Sequence, residues 1–269
     1  RYMVCPIDKF AFYCSLLNEW AGRSPLVLSL AEAEKICGIM HWVSQGFPIG
    51  YADVGAVASF KTALTQVHKR KQVPKTAVRM KAPPRVVAAV SFWSHVFSSW
   101  DRRCPIFAGF SPVSGWERYG KVDACTDWGC GGVLFDGATL WAFSREWSSE
   151  ERASAFVAQR ESTGFFELRG ILCWFLLFAP MCAGRRTLLE SDSSSSVQGL
   201  ASGFSSKPEL FSLIRDIRLQ CATHFVDLRA RFIVGAIFNR VADLLSHGRI
   251  AEARCRANVE FGMDFVLMQ

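Results

Sequence analysis

Apolar positions divide the chain into two regimes. Over residues 8–66 they recur at helical spacing. The stretch 8–21 predicts a helix stopped by Gly22, and Ser29-Leu-Ala-Glu32 is a capping box opening a second helix through Ala33, Ile36, Cys37, Met40 and Val43. Gly46 and Pro48 break that helix, and a third is expected over about 50–66, followed by a fourth over Val86–Trp100. The aromatic stripe Phe10, Trp20, Trp42, Phe47 and Phe60 reads as the core of this helical module.

From Gly120 onward strands alternate with helices. Lys121–Cys125, Gly132–Asp136 and Thr139–Phe143 predict a three-stranded meander, with Asp136-Gly137 as a hairpin turn. A helix at about 163–178, a strand Arg186–Ser191, helices at about 194–202 and 207–221, a strand Phe225–Phe232 and a helix at about 239–247 complete the pattern. Three strands followed by alternating helix and strand predict an α/β domain: a mixed five-stranded sheet flanked by helices, preceded by the small all-helical module. The expected divisions are 1–116, 117–250 and a C-terminal tail at 251–269.

The longest apolar run, Ile171–Cys182, contains a proline and reads as a buried helix, so no membrane partner is expected. Ten scattered cysteines without Cys-x-x-Cys pairs, and a start without a secretory signal pattern, point to a reduced intracellular setting, cytoplasmic or nuclear. The five histidines are not at zinc-ligand spacing from any cysteine. The chain begins at Arg1 rather than Met, as expected of a fragment.

Charge adds a partner to this picture. The net +7 divides into +8 over residues 1–116 (14 basic, 6 acidic), 0 over 117–250 (15 of each) and −1 over 251–269 (2 basic, 3 acidic). Lys69, Arg70, Lys71, Lys75, Arg79, Lys81 and Arg85 fall in one acid-free stretch, 68–85, broken by three prolines. This segment reads as an extended surface linker, either simply solvated or in contact with nucleic-acid phosphates.

The acids of the second regime carry the candidate chemistry. Asp123 ends the first strand ahead of the glycine-rich stretch Gly129, Gly131 and Gly132, read as a tight reversal, with Asp127 beside it. Glu167 is in line with Ile171, Trp174 and Phe178 on an apolar helix face, where an ionised carboxylate needs a partner or a metal. Asp192 ends a strand, and Asp243 lies on the last helix. Taken singly, Asp123 reads as a turn residue, and helix capping is the ordinary alternative for Asp192.

Their order carries a resemblance. Asp123-Ala-Cys with Gly129-Cys-Gly131, Glu167-Leu-Arg, Ser191-Asp-Ser193 and Asn239-Arg-Val-Ala-Asp243-Leu-Leu-Ser-His247 resemble the motifs of the ribonuclease H domain of retroelement reverse transcriptases, DIRS-like and related fungal polyproteins in particular. The resemblance covers about 117–248. The preceding helical part, with Ser29-Leu-Ala-Glu32, Cys37-Gly38 and Phe47-Pro-Ile-Gly50, is similar to the thumb and connection segment of those polyproteins.

The resemblance implies a catalytic and metal-binding set of Asp123, Glu167, Asp192 and Asp243. These would hold two Mg2+ or Mn2+ ions for hydrolysis of the RNA strand of an RNA–DNA hybrid. Asp123 would bridge both ions, Glu167 and Asp192 would hold one, and Asp243 the other. The seven cations of 68–85 and Asn239 would contact nucleic acid, and the remainder of the polyprotein would be a further partner. Two departures stand out: Ser193 replaces an Asn, and Phe232 stands where many members carry a His, which predicts slower turnover or a decayed element. A non-catalytic nucleic-acid-binding module and a DDE-type integrase or transposase are the alternatives. Tyr51-Ala-Asp-Val54 lacks the second acid of a polymerase motif and reads as an ordinary helix or loop element.

Overall fold

The computed structural model describes residues 2–105, 115–157 and 163–268. The chain divides into two compact units, Arg1–Ile106 and Phe107–Gln269.

The first unit contains the helices α1 (Ile7–Ala21), α2 (Leu30–Gly46), α3 (Tyr51–Lys71) and α4 (Pro84–Ser99). Its short strands pair antiparallel: β1 (Tyr2–Val4) with β4 (Arg103–Pro105), and β2 (Val27–Ser29) with β3 (Arg79–Lys81). The capping box forms as expected: the Ser29 hydroxyl accepts from the Glu32 backbone N–H, and the Glu32 carboxylate accepts from the Ser29 N–H. Trp20, Phe47 and Phe60 are buried, and Phe10 stacks on Phe97 at 5.6 Å, so the aromatic stripe is core. Asp53 of the Tyr51-Ala-Asp motif sits near the start of α3 and accepts from Trp93 Nε1 at 2.7 Å.

The basic stretch 68–85 is not an extended linker. His68–Lys71 form the last turn of α3, which ends at Gln72 in the left-handed conformation, and Arg79–Lys81 are β3. Cations suit this helix end because they face the partial negative charge of its unpaired carbonyls. The helix therefore runs five residues past its expected end before the prolines act.

The second unit is built on a mixed six-stranded sheet in the order β10-β7-β6-β5-β8-β9. Its strands are β5 (Arg118–Ala124), β6 (Gly129–Phe135), β7 (Leu140–Glu146), β8 (Arg186–Ser191), β9 (Asp227–Phe232) and β10 (Phe265–Leu267). The first three form the antiparallel meander, and β8, β9 and β10 each add in parallel. The hairpin turn after β6 is held by Asp136, whose Oδ1 accepts from the Ala138 and Thr139 N–H groups, with Gly137 at φ +104°.

The helices are α5 (Ser149–Val157), α6 (Thr163–Phe178), α7 (Ser194–Ser202), α8 (Pro208–Thr223), α9 (Gly235–Phe238), α10 (Arg240–Ser246) and α11 (Ile250–Phe261). Helix α6 packs on one face of the sheet, where Trp174 Nε1 donates to the Val133 carbonyl at 2.9 Å. Helices α10 and α11 cover Val133, Leu140 and Ala142 on the other face with Val241, Leu245, Ala253 and Ala257. The helical stretch Thr163–Cys182 is apolar and long enough to cross a membrane, yet Phe166, Leu168, Ile171, Trp174 and Phe175 are buried within the unit, as in a core helix.

The mixed sheet flanked by helices and preceded by N-terminal helices is the α/β architecture expected from the sequence, with six strands where five were expected. The expected tail is instead part of this unit, because 250–261 form α11 and 265–267 pair with β7 as the sixth strand. Three residues carry too little pattern to announce a strand; the hydrogen bonds that define it come from β7.

Candidate metal centre

Asp123 lies at the last-but-one position of the central strand, opposite Gly131 of β6. An aspartate there is exposed to the sheet's end yet walled by two layers, and it is 8% accessible. Ser246, closing α10, donates to Asp123 Oδ2 at 2.7 Å, and its Oγ also lies 2.8 Å from the Asp243 carbonyl oxygen. Asn239, entering the same helix, donates from Nδ2 to the Val122 carbonyl at 3.0 Å. The two ends of α10 are thereby tied to the strand that presents Asp123.

Glycines make these approaches possible. They are not a turn, as the sequence suggested, but residues of β6; the reversal is made by residues 125–128. There Cys125 Sγ accepts from the Trp128 and Gly129 N–H groups and donates to the Ser246 carbonyl at 3.1 Å. A Cβ on Gly131 would overlap the backbone of Leu245 and Ser246, so the absence of a side chain is what lets α10 lie on the strand beside Asp123. Asp127 belongs to this reversal and is exposed.

Glu167 comes from the first turns of α6, one turn before Gly170. A Cβ at Gly170 would lie 3.2 Å from those of Ala124 and Cys130, so the helix axis is drawn close to the strand end. Asp192 follows β8. It does not cap α7, since Ser193 does so by accepting from the Ser196 N–H, leaving the Asp192 carboxylate for the cluster. Gly235 makes room for it, because any Cβ there would collide with Asp192 Oδ2.

Asp123, Glu167 and Asp192 each offer an oxygen within 4.8 Å of the others. Burial, then the charges of Asp123 and Asp192, push the Glu167 carboxyl up to about 9. Burial, with the Asp192 and Asp243 charges and against the Ser246 hydrogen bond, pushes Asp123 up to about 7. Glu167 Oε2 and Asp192 Oδ1 are buried without a hydrogen-bond partner. Converging acids with raised proton affinity and orphaned oxygens are what a hard cation with oxygen ligands resolves, so this donor set fits a divalent metal.

Asp243 stands apart from this triad. It is near enough to raise Asp123, but its Oδ2 accepts from Arg240 Nη1 at 2.8 Å and its Oδ1 lies 3.8 Å from His247 Nε2. Asn239 is also placed differently from expectation. It is fully buried and structural rather than available to nucleic acid, because the start of α10 is packed against β5. The seven cations Lys69, Arg70, Lys71, Lys75, Arg79, Lys81 and Arg85 are exposed in the first unit, Lys75 paired with Glu34 at 2.7 Å.

Ser246 and Gly235 are contributors that sequence reasoning did not single out. Ser246 had a signal in its three-residue spacing from Asp243; Gly235 had none, since its use depends on where Asp192 points.

No family model and no curated protein matches the chain. Among solved structures it is similar to the N-terminal RNase H domain of a Mycobacterium tuberculosis protein, determined as a fusion with maltose-binding protein. That match has 16% identity and a TM-score of 0.35, and covers 53% of this chain and 99% of that one.

Proposed function

We propose that the second unit is a metal-dependent ribonuclease H that hydrolyses the RNA strand of RNA–DNA hybrids, within a fragment of a retroelement reverse transcriptase polyprotein acting inside the cell. The observation that carries this reading is the convergence of Asp123, Glu167 and Asp192, with orphaned oxygens on Glu167 and Asp192 and raised proton affinity at Asp123 and Glu167. Asp123 would be the shared ligand, aimed by Ser246. Glu167 and Asp192 would complete one position, and Asp243, released from Arg240, the other. Two bound Mg2+ or Mn2+ ions would supply an activated water and a counter-charge for the departing 3′ oxygen. The cations of 68–85 would take phosphates of the hybrid, whose 2′-hydroxyls distinguish its RNA strand.

A second reading, a non-catalytic nucleic-acid-binding module, is favoured by two observations: Asp243 is engaged with Arg240, and Phe232 stands where many members of the resembled family carry a His. Cleavage of labelled RNA–DNA hybrid, double-stranded DNA and double-stranded RNA, with Mg2+ or Mn2+ and with chelator, separates the two. Hybrid-specific cutting that Asp123→Asn abolishes supports the nuclease. Equal cutting by that variant sinks the assignment, and salt-sensitive binding without cutting supports the module.

A further inference from the structure

We propose that Cys173 is a redox-reactive thiol and Cys130 its resolving partner, forming a modification site for low-molecular-weight disulfides that is separate from the carboxylate cluster. The pair is assembled by the fold. Cys130 lies on β6 and Cys173 on α6, and the same close approach at Gly170 that brings the helix onto the sheet puts the Cys130 Cβ one turn from Cys173. Both thiols are buried, Cys130 completely and Cys173 nearly so.

The surroundings assign them different roles. Arg145 Nη1 contacts Cys173 Sγ at 2.9 Å. Arg145 and Arg169 share a single carboxylate, Glu151, at 2.9 and 2.8 Å, so two guanidiniums against one acid leave a positive field at the sulfur. Cys173 lines a cleft of about 470 Å³ with Arg145, Arg169, Leu176 and Met268, and Leu176 is 57% exposed at its rim. Cys130 is fully enclosed behind it. The hydrogen bond from Cys130 and the two arginines, working against burial, lower the Cys173 thiol to about 7, while donation to Cys173 and burial push Cys130 up. A thiolate at the cleft and a protonated thiol behind it are the arrangement of an attacking and a resolving cysteine.

The chemistry balances with a small disulfide as the oxidant. The Cys173 thiolate attacks one sulfur of the disulfide, whose S–S bond breaks and releases one thiolate. Cys130 then attacks Cys173 Sγ and its proton leaves with the second sulfur, which is expelled as a thiol. The protein gains one Cys130–Cys173 disulfide, and the two electrons leave on the small disulfide, which ends as two thiols. The arginines suit a carboxylate-bearing disulfide in the cleft.

Oxidised glutathione incubated with the reduced full chain tests this. Peptide mapping without reduction is expected to return a Cys130–Cys173 cross-link ahead of any adduct on the exposed Cys255. Cys130→Ser should stop at one glutathione on Cys173, and Arg145→Gln should slow the reaction about tenfold. The proposal is overturned if the unsubstituted chain is modified first at Cys255, or if it forms no such cross-link while its thiols remain intact. It is equally overturned if Cys173 stays unmodified in a folded Cys130→Ser chain. Mapping the unsubstituted chain needs no variant, so a misfolding substitution cannot mask the result.

Discussion

Ser246 Oγ donates to Asp123 Oδ2 at 2.7 Å, joining residues 123 positions apart in the chain. The bond opposes the rise in the Asp123 proton affinity that burial and the neighbouring carboxylates impose. Ser246→Ala should therefore raise the Asp123 pKa further and weaken divalent-metal binding about tenfold at pH 7, with a smaller loss at pH 9, where Asp123 ionises regardless. Isothermal titration with Mn2+ at the two pH values checks this.

Without metal, stability should fall as pH rises. Asp123 and Glu167 have folded-state pKa values of about 7 and about 9, against about 4 for ordinary carboxyls. The folded state thus holds protons that the unfolded state releases. Its advantage is complete below about pH 4 and is lost progressively up to about pH 9. Thermal melts in chelator should decline over that window, and saturating Mg2+ or Mn2+ should remove most of the decline.

Glu167→Gln removes the carboxyl that burial obliges to hold a proton in the folded state. It should stabilise the metal-free protein by about 2 kcal/mol at pH 8 while abolishing tight metal binding. Denaturant melts paired with metal titration would register both effects, and a destabilised metal-free variant would contradict the assignment.

Gly131→Ala and Gly235→Ala should fail in different ways. A methyl at Gly131 meets the α10 backbone, which cannot yield locally, and should cost about 3 kcal/mol. A methyl at Gly235 meets the Asp192 carboxylate, which can rotate away. Stability should change by under about 1 kcal/mol there, while metal affinity drops about tenfold. Chemical denaturation and metal titration of both proteins separate the cases.

Asn239→Ala should lower stability by about 1–3 kcal/mol, since it leaves the buried Val122 carbonyl without its donor. Hybrid affinity should be unchanged in the folded fraction. Substitution of Lys69, Arg70 and Lys71 by Gln should do the reverse, weakening hybrid binding and flattening its salt dependence at the cost of only a small loss of stability from the end of α3.

What the sequence disclosed follows from how local each cause is. Helix α6, β8 and α7 have the expected bounds because their apolar periodicity and flanking residues lie within the segments themselves. The Ser29–Glu32 box and the Asp136-Gly137 turn are likewise complete within a few residues. The order of the acids pointed to three carboxylates that do meet. The uses of Gly131, Gly235 and Asn239 were hidden because each is defined by a residue far along the chain: Leu245, Asp192 and Val122. The same holds for β10, whose partner lies in β7.

The six-stranded order also fixes when the site can exist during synthesis. Asp123 emerges early, in a hairpin that can form as soon as β6 is made, but its third-strand neighbour β8, its hydroxyl donor at Ser246 and the α11 layer arrive only later. A nascent chain halted before α10 would carry an exposed sheet face and a carboxylate with nothing to aim it. The complete carboxylate site would therefore be withheld until the distal third of the chain has left the ribosome.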